Sequence, residues 1–400
     1  MRTRILLSVA GLLACWGSVG CGGSPSSSTK STSIAQASQN VVPISVNSGP
    51  AGIYVDGAFA SATVCIPGTS NCQTIGDLLV DTGSSGLRIL SSALTVSLPQ
   101  QKSASGNPVA ECLPFLGSYT WGPVQEADVQ IAGEKASSVP LQVLSDTDFK
   151  VASGCTNFGL PSADTLQTLG ANGILGVGFF VQDCGTACAQ TGSSNPGLYY
   201  ECPSSGCQVM AESVAQQVQN PVALFSSDNN GVIIELPAVS SAESTLSGSL
   251  VFGIGTQSNN SLGGATVYTP DGFGNFSVSY KGKSYATSFI DSGSNGYFFL
   301  DATTTGMPVC ADASGFYCPA STQSFTATAQ GTNGTSGAVS FSIANADSLF
   351  ANQSDSVFSE LGGPAPNMFD LGLPFFFGKN VFTAIEGKNT PGGTGPYWAY

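Results

Sequence analysis

The chain has 400 residues, 42% of them apolar and only 9% charged, with 50 Gly and no His. That length suits two medium domains or one large two-lobed body with a buried core, and the lack of His excludes Ser-His-Asp and Cys-His nucleophile systems and His-ligated zinc. A net charge of −14, from 11 basic and 25 acidic residues, provides no basic patch to displace counterions and argues against nucleic acid as a partner. Acid/base chemistry, if present, falls to carboxylates.

Residues 1–21 begin with Arg2 and Arg4, run through the apolar stretch from Ile5 to Ala14 and end at Gly20-Cys21. This reads as a secretory signal, because an apolar core of about ten residues is too short to span a bilayer. A Cys at such a cleavage point resembles the bacterial lipoprotein signal, which implies acylation at Cys21, or at Cys15, where Leu12-Leu13-Ala14 supplies the Leu expected three residues earlier. The expected location is a bacterial cell envelope, with the protein lipid-anchored to a membrane. Residues 22–40 are rich in Gly, Ser and Thr and read as a flexible tether.

Folded sequence is expected from Val41, as a β lobe over 41–225 and a second over 226–400. Short β-branched and aromatic segments alternate with Gly, Pro, Asn and Asp clusters, as in Ala127–Ile131, Gly231–Leu236 and Phe276–Tyr280, so the class is all-β or mostly β. The best short helical pattern runs from Ala211 to Val218. Setting aside Cys15 and Cys21 leaves ten cysteines, which in an exported chain read as disulfides. Cys65 with Cys72, Cys184 with Cys188, Cys202 with Cys207 and Cys310 with Cys318 are close in sequence, and Cys112 with Cys155 follows by elimination. The stretch from Cys184 to Cys207 reads as a surface insertion. Zinc-type ligand spacing is lacking, so neither metal nor cofactor is expected.

An internal repeat is the most informative feature. Asp81-Thr-Gly-Ser-Ser-Gly-Leu-Arg-Ile-Leu90 matches Asp291-Ser-Gly-Ser-Asn-Gly-Tyr-Phe-Phe-Leu300 at five of ten positions. Each copy follows an apolar stretch and a hairpin pattern, turning at Pro67-Gly68 and at Lys281-Gly282. Each also precedes a Leu-Gly element, with Gly176 coming 95 residues after Asp81 and Gly372 coming 81 after Asp291. One Asp-Thr-Gly-Ser string is ordinary turn chemistry, but two copies with matching flanks imply two related lobes. Bringing the lobes together places Asp81 and Asp291 at the base of a cleft, where two close carboxyls share one proton and supply both an acid and a base.

These residues resemble the pepsin-like aspartic peptidases. The resemblance covers roughly residues 45–390 and includes Gly248–Gly255, similar to the strand that opens the second lobe in that family. It implies a bilobal fold, an Asp81/Asp291 catalytic dyad, a polypeptide substrate or ligand and a monomer. It also implies that Thr82 and Ser292 cross-brace the two loops and that Ser84 and Ser294 hydrogen-bond the carboxylates, with Gly83, Gly293, Gly176 and Gly372 in support. The sequence departs from the family at the hairpin flap over the cleft: Gly117–Val124 looks shortened, and Tyr119 or Trp121 is the expected flap residue. Arg88 stands where the family often carries an aromatic, with a salt bridge at the cleft edge or an effect on the dyad as its candidate role. The chain also resembles a bacterial family of exported lipoproteins that is a domain of unknown function, which supplies no activity. The leading reading is an exported, membrane-tethered aspartic-type endopeptidase, and the alternative is a catalytically inactive scaffold that binds a partner or serves a structural role in the envelope.

Overall fold

The computed structural model describes residues 34–35 and 38–400. The signal, Cys15 and Cys21, and most of the tether lie outside the described residues. The hydrogen-bonded body reaches back beyond Val41: the Ala35 amide donates to Glu235 Oε2 at 2.6 Å, and Gln39 O accepts from the Gly133 amide at 2.7 Å.

The first part of the chain forms β1 (Val41–Asn47), β2 (Gly57–Cys65), β3 (Cys72–Asp81) and β4 (Ser85–Leu90). A hairpin of β5 (Val109–Pro114) and β6 (Tyr119–Ile131) leads into β7 (Glu134–Leu144) and β8 (Gly173–Val177), then to the short β9 (Tyr199–Glu201) and β10 (Gln208–Val209). Next come β11 (Gly231–Leu236), β12 (Leu246–Phe252), β13 (Val267–Tyr268), β14 (Phe276–Tyr280), β15 (Lys283–Ile290) and β16 (Tyr297–Leu300). The chain ends with β17 (Gln323–Gln330), β18 (Ser336–Ile343), β19 (Gly362–Gly363), β20 (Ala365–Leu371), β21 (Lys379–Ala384), the small pair β22 (Asn389–Thr390) and β23 (Gly393–Thr394), and β24 (Tyr397–Ala399). The mostly-β expectation is met, and both anticipated hairpins turn where the Gly-containing turns place them.

In the first lobe β2, β3, β8, β4, β7 and β6 pair in succession, and β6 pairs back onto β2, which closes a ring. The same sheet continues through β1 into β12, β11, β21, β24 and β13. The second lobe adds a seven-stranded sheet ordered β18-β17-β14-β15-β20-β16-β19. A single apolar cluster runs from Val42 and Val80 to Phe289, Phe299 and Phe376, so one continuous core supports both halves. The aromatic runs Tyr297–Phe299 and Phe375–Phe377 are buried, Phe298 in a separate cluster with Phe316 and Phe358 and the other five in this core.

The sequence repeat is a structural repeat. β3 runs parallel to β8 with Asp81 opposite Gly176, and β15 runs parallel to β20 with Ile290 opposite Leu371. In each case the strand after the motif lies antiparallel on the other side of the Leu-Gly strand, β4 on β8 and β16 on β20. The closeness of these passes explains the glycine: a Cβ on Gly372 would lie 2.2 Å from Gly296 O and 2.5 Å from Ser294 O.

Two expectations are corrected. Ala211–Val218 is not a helix; only Val214–Gln216 makes a 3₁₀ turn. Tertiary bonds override the local pattern, since the Gln217 side chain bonds both backbone groups of Gly185 and the Val218 amide donates to Tyr199 Oη. The cysteine-rich stretch is only partly at the surface, with residues 190–194 and 204–206 exposed. Leu198, Tyr199 and Tyr200 are buried, and β9 pairs with β5 to widen the hairpin sheet. All five expected disulfides are present, including Cys112–Cys155.

Candidate active site

Leu78, Leu79 and Val80 are fully buried and carry β3 to the junction of the lobes, where Asp81 begins a tight turn. Phe289 and Ile290 do the same for Asp291. Both carboxyl groups are fully buried and hydrogen-bonded to each other. The Gly83 amide donates to Asp81 Oδ1 at 2.8 Å and to Asp291 Oδ1 at 3.1 Å, while the Gly293 amide donates to Asp291 Oδ1 at 2.8 Å. Ser84 Oγ donates to Asp81 Oδ2 at 2.5 Å, and Ser294 Oγ lies 3.1 Å from Asp291 Oδ2.

The cross-brace takes the expected form. The Thr82 amide donates to Ser292 Oγ at 3.1 Å, the Ser292 amide donates to Thr82 Oγ1 at 3.0 Å, and Ser292 Oγ donates to Val80 O at 2.7 Å. These reciprocal bonds tie two turns about 210 residues apart in sequence and fix the separation of the aspartates.

Burial disfavours the ionised form of both carboxyls. Asp81 is raised from its ordinary value by burial, against the hydrogen bonds from Asp291, Ser84 and Gly83 and the Arg88 charge. Asp291 is raised well above its ordinary value by burial, then by the charges of Asp81 and Asp370. The pair therefore titrates as one unit that retains a proton to higher pH than an isolated carboxyl.

Sequence reasoning missed Asp370. It is fully buried in β20, and its Oδ2 lies 2.6 Å from Ser294 Oγ. The available signal was an acidic residue at a buried strand position directly before Leu371-Gly372.

Arg88 forms salt bridges, but wholly inside the protein rather than at a cleft edge. Its Nη2 lies 3.1 Å from Glu111 Oε1 and 2.8 Å from Asp183 Oδ2, and its Nη1 donates to Ser85 O at 2.8 Å. Tyr199 Oη donates to Asp183 Oδ1 at 2.8 Å. One guanidinium thus joins the strand after the first motif, the β5 hairpin strand and the cysteine-rich stretch.

The flap expectation for Tyr119 and Trp121 is corrected. Both side chains are buried in a side cluster with Cys112, Cys155 and Tyr200, and Trp121 Nε1 donates to Phe149 O at 2.9 Å. The Cys112–Cys155 bond and the added strand β9 occupy that face, so these aromatics pack inward. The hairpin turns instead at Phe115–Ser118, where the Phe115 amide donates to Ser118 O at 2.7 Å.

A recess of about 20 Å³, lined in part by Thr82, Gly83, Ser85, Phe179 and Trp398, reaches the first motif. It has room for about one water. Among the described residues one cluster has metal-like spacing, Cys310, Cys318 and Asp347, but its two cysteines are spent on a disulfide with each other. Also among the described residues, no helix is long and apolar enough to cross a membrane.

Residues 36–400 match the model of a family described as "Protein of unknown function (DUF3443)". No curated protein matches the chain. Among solved structures, the crystal structure of aspartic proteinase from Irpex lacteus is similar at 13% identity and a TM-score of 0.52, covering 90% of this chain and 96% of that one. The likeness shows a shared pepsin-like fold.

Proposed function

The chain belongs to this DUF3443 family, and from that premise we propose that it is an exported, membrane-tethered aspartic-type endopeptidase. The observation that carries the reading is the hydrogen-bonded, fully buried Asp81/Asp291 pair, held by a reciprocal Thr82/Ser292 brace. A pair holding one proton has both functions that amide hydrolysis needs. The ionised carboxyl takes a proton from a water whose oxygen attacks the scissile carbonyl carbon, while the protonated carboxyl gives its proton to the carbonyl oxygen. Return of a proton to the amide nitrogen then breaks the C–N bond and releases an amine and a carboxylic acid. Five disulfides support an oxidising compartment. The lipid anchor belongs to Cys21 or Cys15.

A polypeptide cannot reach carboxyls that are fully buried beside a recess the size of one water. Turnover therefore requires the lobes or the β5–β6 hairpin to part. This closed arrangement, with the hairpin held by β9 and by Cys112–Cys155, favours the second reading, a binding scaffold without turnover. Incubating the disulfide-bonded protein with an unfolded polypeptide from pH 3 to 7 separates the two. The peptidase reading expects new amino termini with a maximum on the acid side, and folded protein that yields none at any pH defeats it.

A further inference from the structure

A short segment of the first lobe reaches across to the second. Residues 48–56 join β1 to β2, and their end docks on residues 356–358. The Asp56 amide donates to Ser356 O at 2.7 Å, and the Phe358 amide donates to Asp56 Oδ1 at 2.7 Å. Val55 packs against a second-lobe cluster that includes Phe298, Phe316, Phe358 and Leu361. Tyr54 belongs instead to a first-lobe cluster with Phe59, Leu79 and Ile174. Burial raises its phenol first and the charges of Asp81 and Asp291 raise it further, so this side chain lies beside the dyad.

We propose that residues 54–56 are an inter-lobe strap that closes the cleft over the Asp81–Asp291 pair, and that its release from the second lobe admits a polypeptide. The inference deepens the peptidase reading by naming the part that lets go, and only its kinetic arm rests on that reading. Tyr54 stays rooted in the first lobe on release, while the seat of Val55 and Asp56 on the second lobe is given up.

The closed strap carries a cost of its own. Two of its polar atoms, Tyr54 Oη and Asp56 Oδ2, are buried without a hydrogen-bond partner. A buried polar atom in that state costs free energy that contact with water returns, so closure is opposed from within. The seat that balances this cost comes from the two hydrogen bonds and the half-buried Val55. On the other side of the strap Pro50, Gly52 and Ile53 are exposed, and the stem bonds to itself, from the Gly52 amide to Gly49 O and from the Tyr54 amide to Ser48 O. A modest seat set against a built-in cost leaves two states close in free energy, as a gate requires.

The test measures access to the dyad directly. Phenyl glycidyl ether, an epoxide larger than the water-sized recess, esterifies an ionised carboxyl. The carboxylate oxygen attacks a ring carbon, the ring C–O bond opens and the freed oxygen takes a proton from water. Ester on Asp81 and Asp291 is located by peptide mass and followed in time at one pH, beside kcat/KM for an unfolded polypeptide. Asp56→Gly removes the side-chain acceptor and suits the positive φ of 46° at that position, and Val55→Ala thins the seat. Each is expected to raise both rates roughly tenfold, the worth of one buried hydrogen bond or of a few buried carbon atoms. Asp56→Asn keeps the acceptor and should stay within about twofold of wild type. Tyr54→Phe removes an unpartnered hydroxyl and should slow both rates by roughly the same tenfold. Folded Asp56→Gly and Val55→Ala proteins that label at the wild-type rate overturn the proposal. So does faster labelling of Tyr54→Phe, or an equal gain at Glu111, a fully buried carboxyl on β5 that would report general loosening. Absence of cleavage by wild-type protein defeats the peptidase reading instead and leaves the labelling to decide this one.

Discussion

The amide of Gly83 in one lobe donates to Asp291 Oδ1 in the other at 3.1 Å, while the same amide holds Asp81 Oδ1 at 2.8 Å. Two carboxyls from different lobes are thus read by one N–H group. A side chain cannot enter there, since a Cβ on Gly83 would lie 2.6 Å from Asp291 Cγ.

Gly83→Ala is therefore expected to push the carboxyls apart and to cost on the order of 100-fold in kcat, the effect of misplacing reacting groups by about 1 Å. The check is cleavage rate against the near-ultraviolet dichroism of the same sample. A folded Gly83→Ala variant with wild-type rate would show that the shared amide has no part in holding the pair.

The buried carboxyls set a pH dependence of stability whose sign follows from linkage. Asp56, Asp81, Glu111 and Asp291 are all raised, first by burial. Each binds its proton more tightly folded than unfolded, so its contribution is complete below the unfolded carboxyl range of about 4 and is lost as pH rises through the folded value. Asp128 works the other way, because the hydrogen bonds from Ser138, Lys135 and Gly68 outweigh its burial and lower it, but its loss falls below that range. A tenfold change in proton affinity is worth about 1.4 kcal/mol. Urea midpoints are expected to be higher at pH 5 than at pH 8, and the reverse order would contradict this accounting.

Removing Arg88 leaves Glu111 and Asp183 buried without their cation. Arg88→Met is expected to cost about 3–5 kcal/mol in urea unfolding, as is usual when one partner of a buried pair is lost. Adding Glu111→Gln and Asp183→Asn should recover much of it. Failure of the triple variant to recover would locate the role of Arg88 in packing rather than charge.

The Cys112–Cys155 bond closes a loop of 43 residues and ties β5 to the segment beneath the side cluster. Chain entropy assigns such a loop about 4 kcal/mol. Cys112→Ala with Cys155→Ala should lower stability by up to that amount and speed amide exchange in β5 and β6 before other strands. Uniform loosening of the whole chain would show that the bond does not act on the hairpin.

How much of this was legible in the sequence differs by element. The Asp81 and Asp291 turns, the Leu-Gly strands, both hairpins and the short disulfides could be read because each is a local pattern, doubled or closely spaced. The partners of Arg88 could not be named, because Glu111 and Asp183 lie 23 and 95 residues away and meet it only through tertiary pairing. Tyr119 and Trp121 were misplaced for a related reason, since β9, which shares their sheet, comes from residues about 80 further on. Asp370 was overlooked because a single acidic residue in a strand carries no period or spacing of its own.

The most direct measurement is cleavage of an unfolded polypeptide in ¹⁸O-labelled water by wild-type, Asp81→Asn and Asp291→Asn proteins, each shown to be folded. The dyad account predicts one ¹⁸O atom in the new carboxyl group of each wild-type product and no cleavage by either variant. Cleavage that persists in either variant would contradict it, as would a folded wild-type protein that cuts nothing.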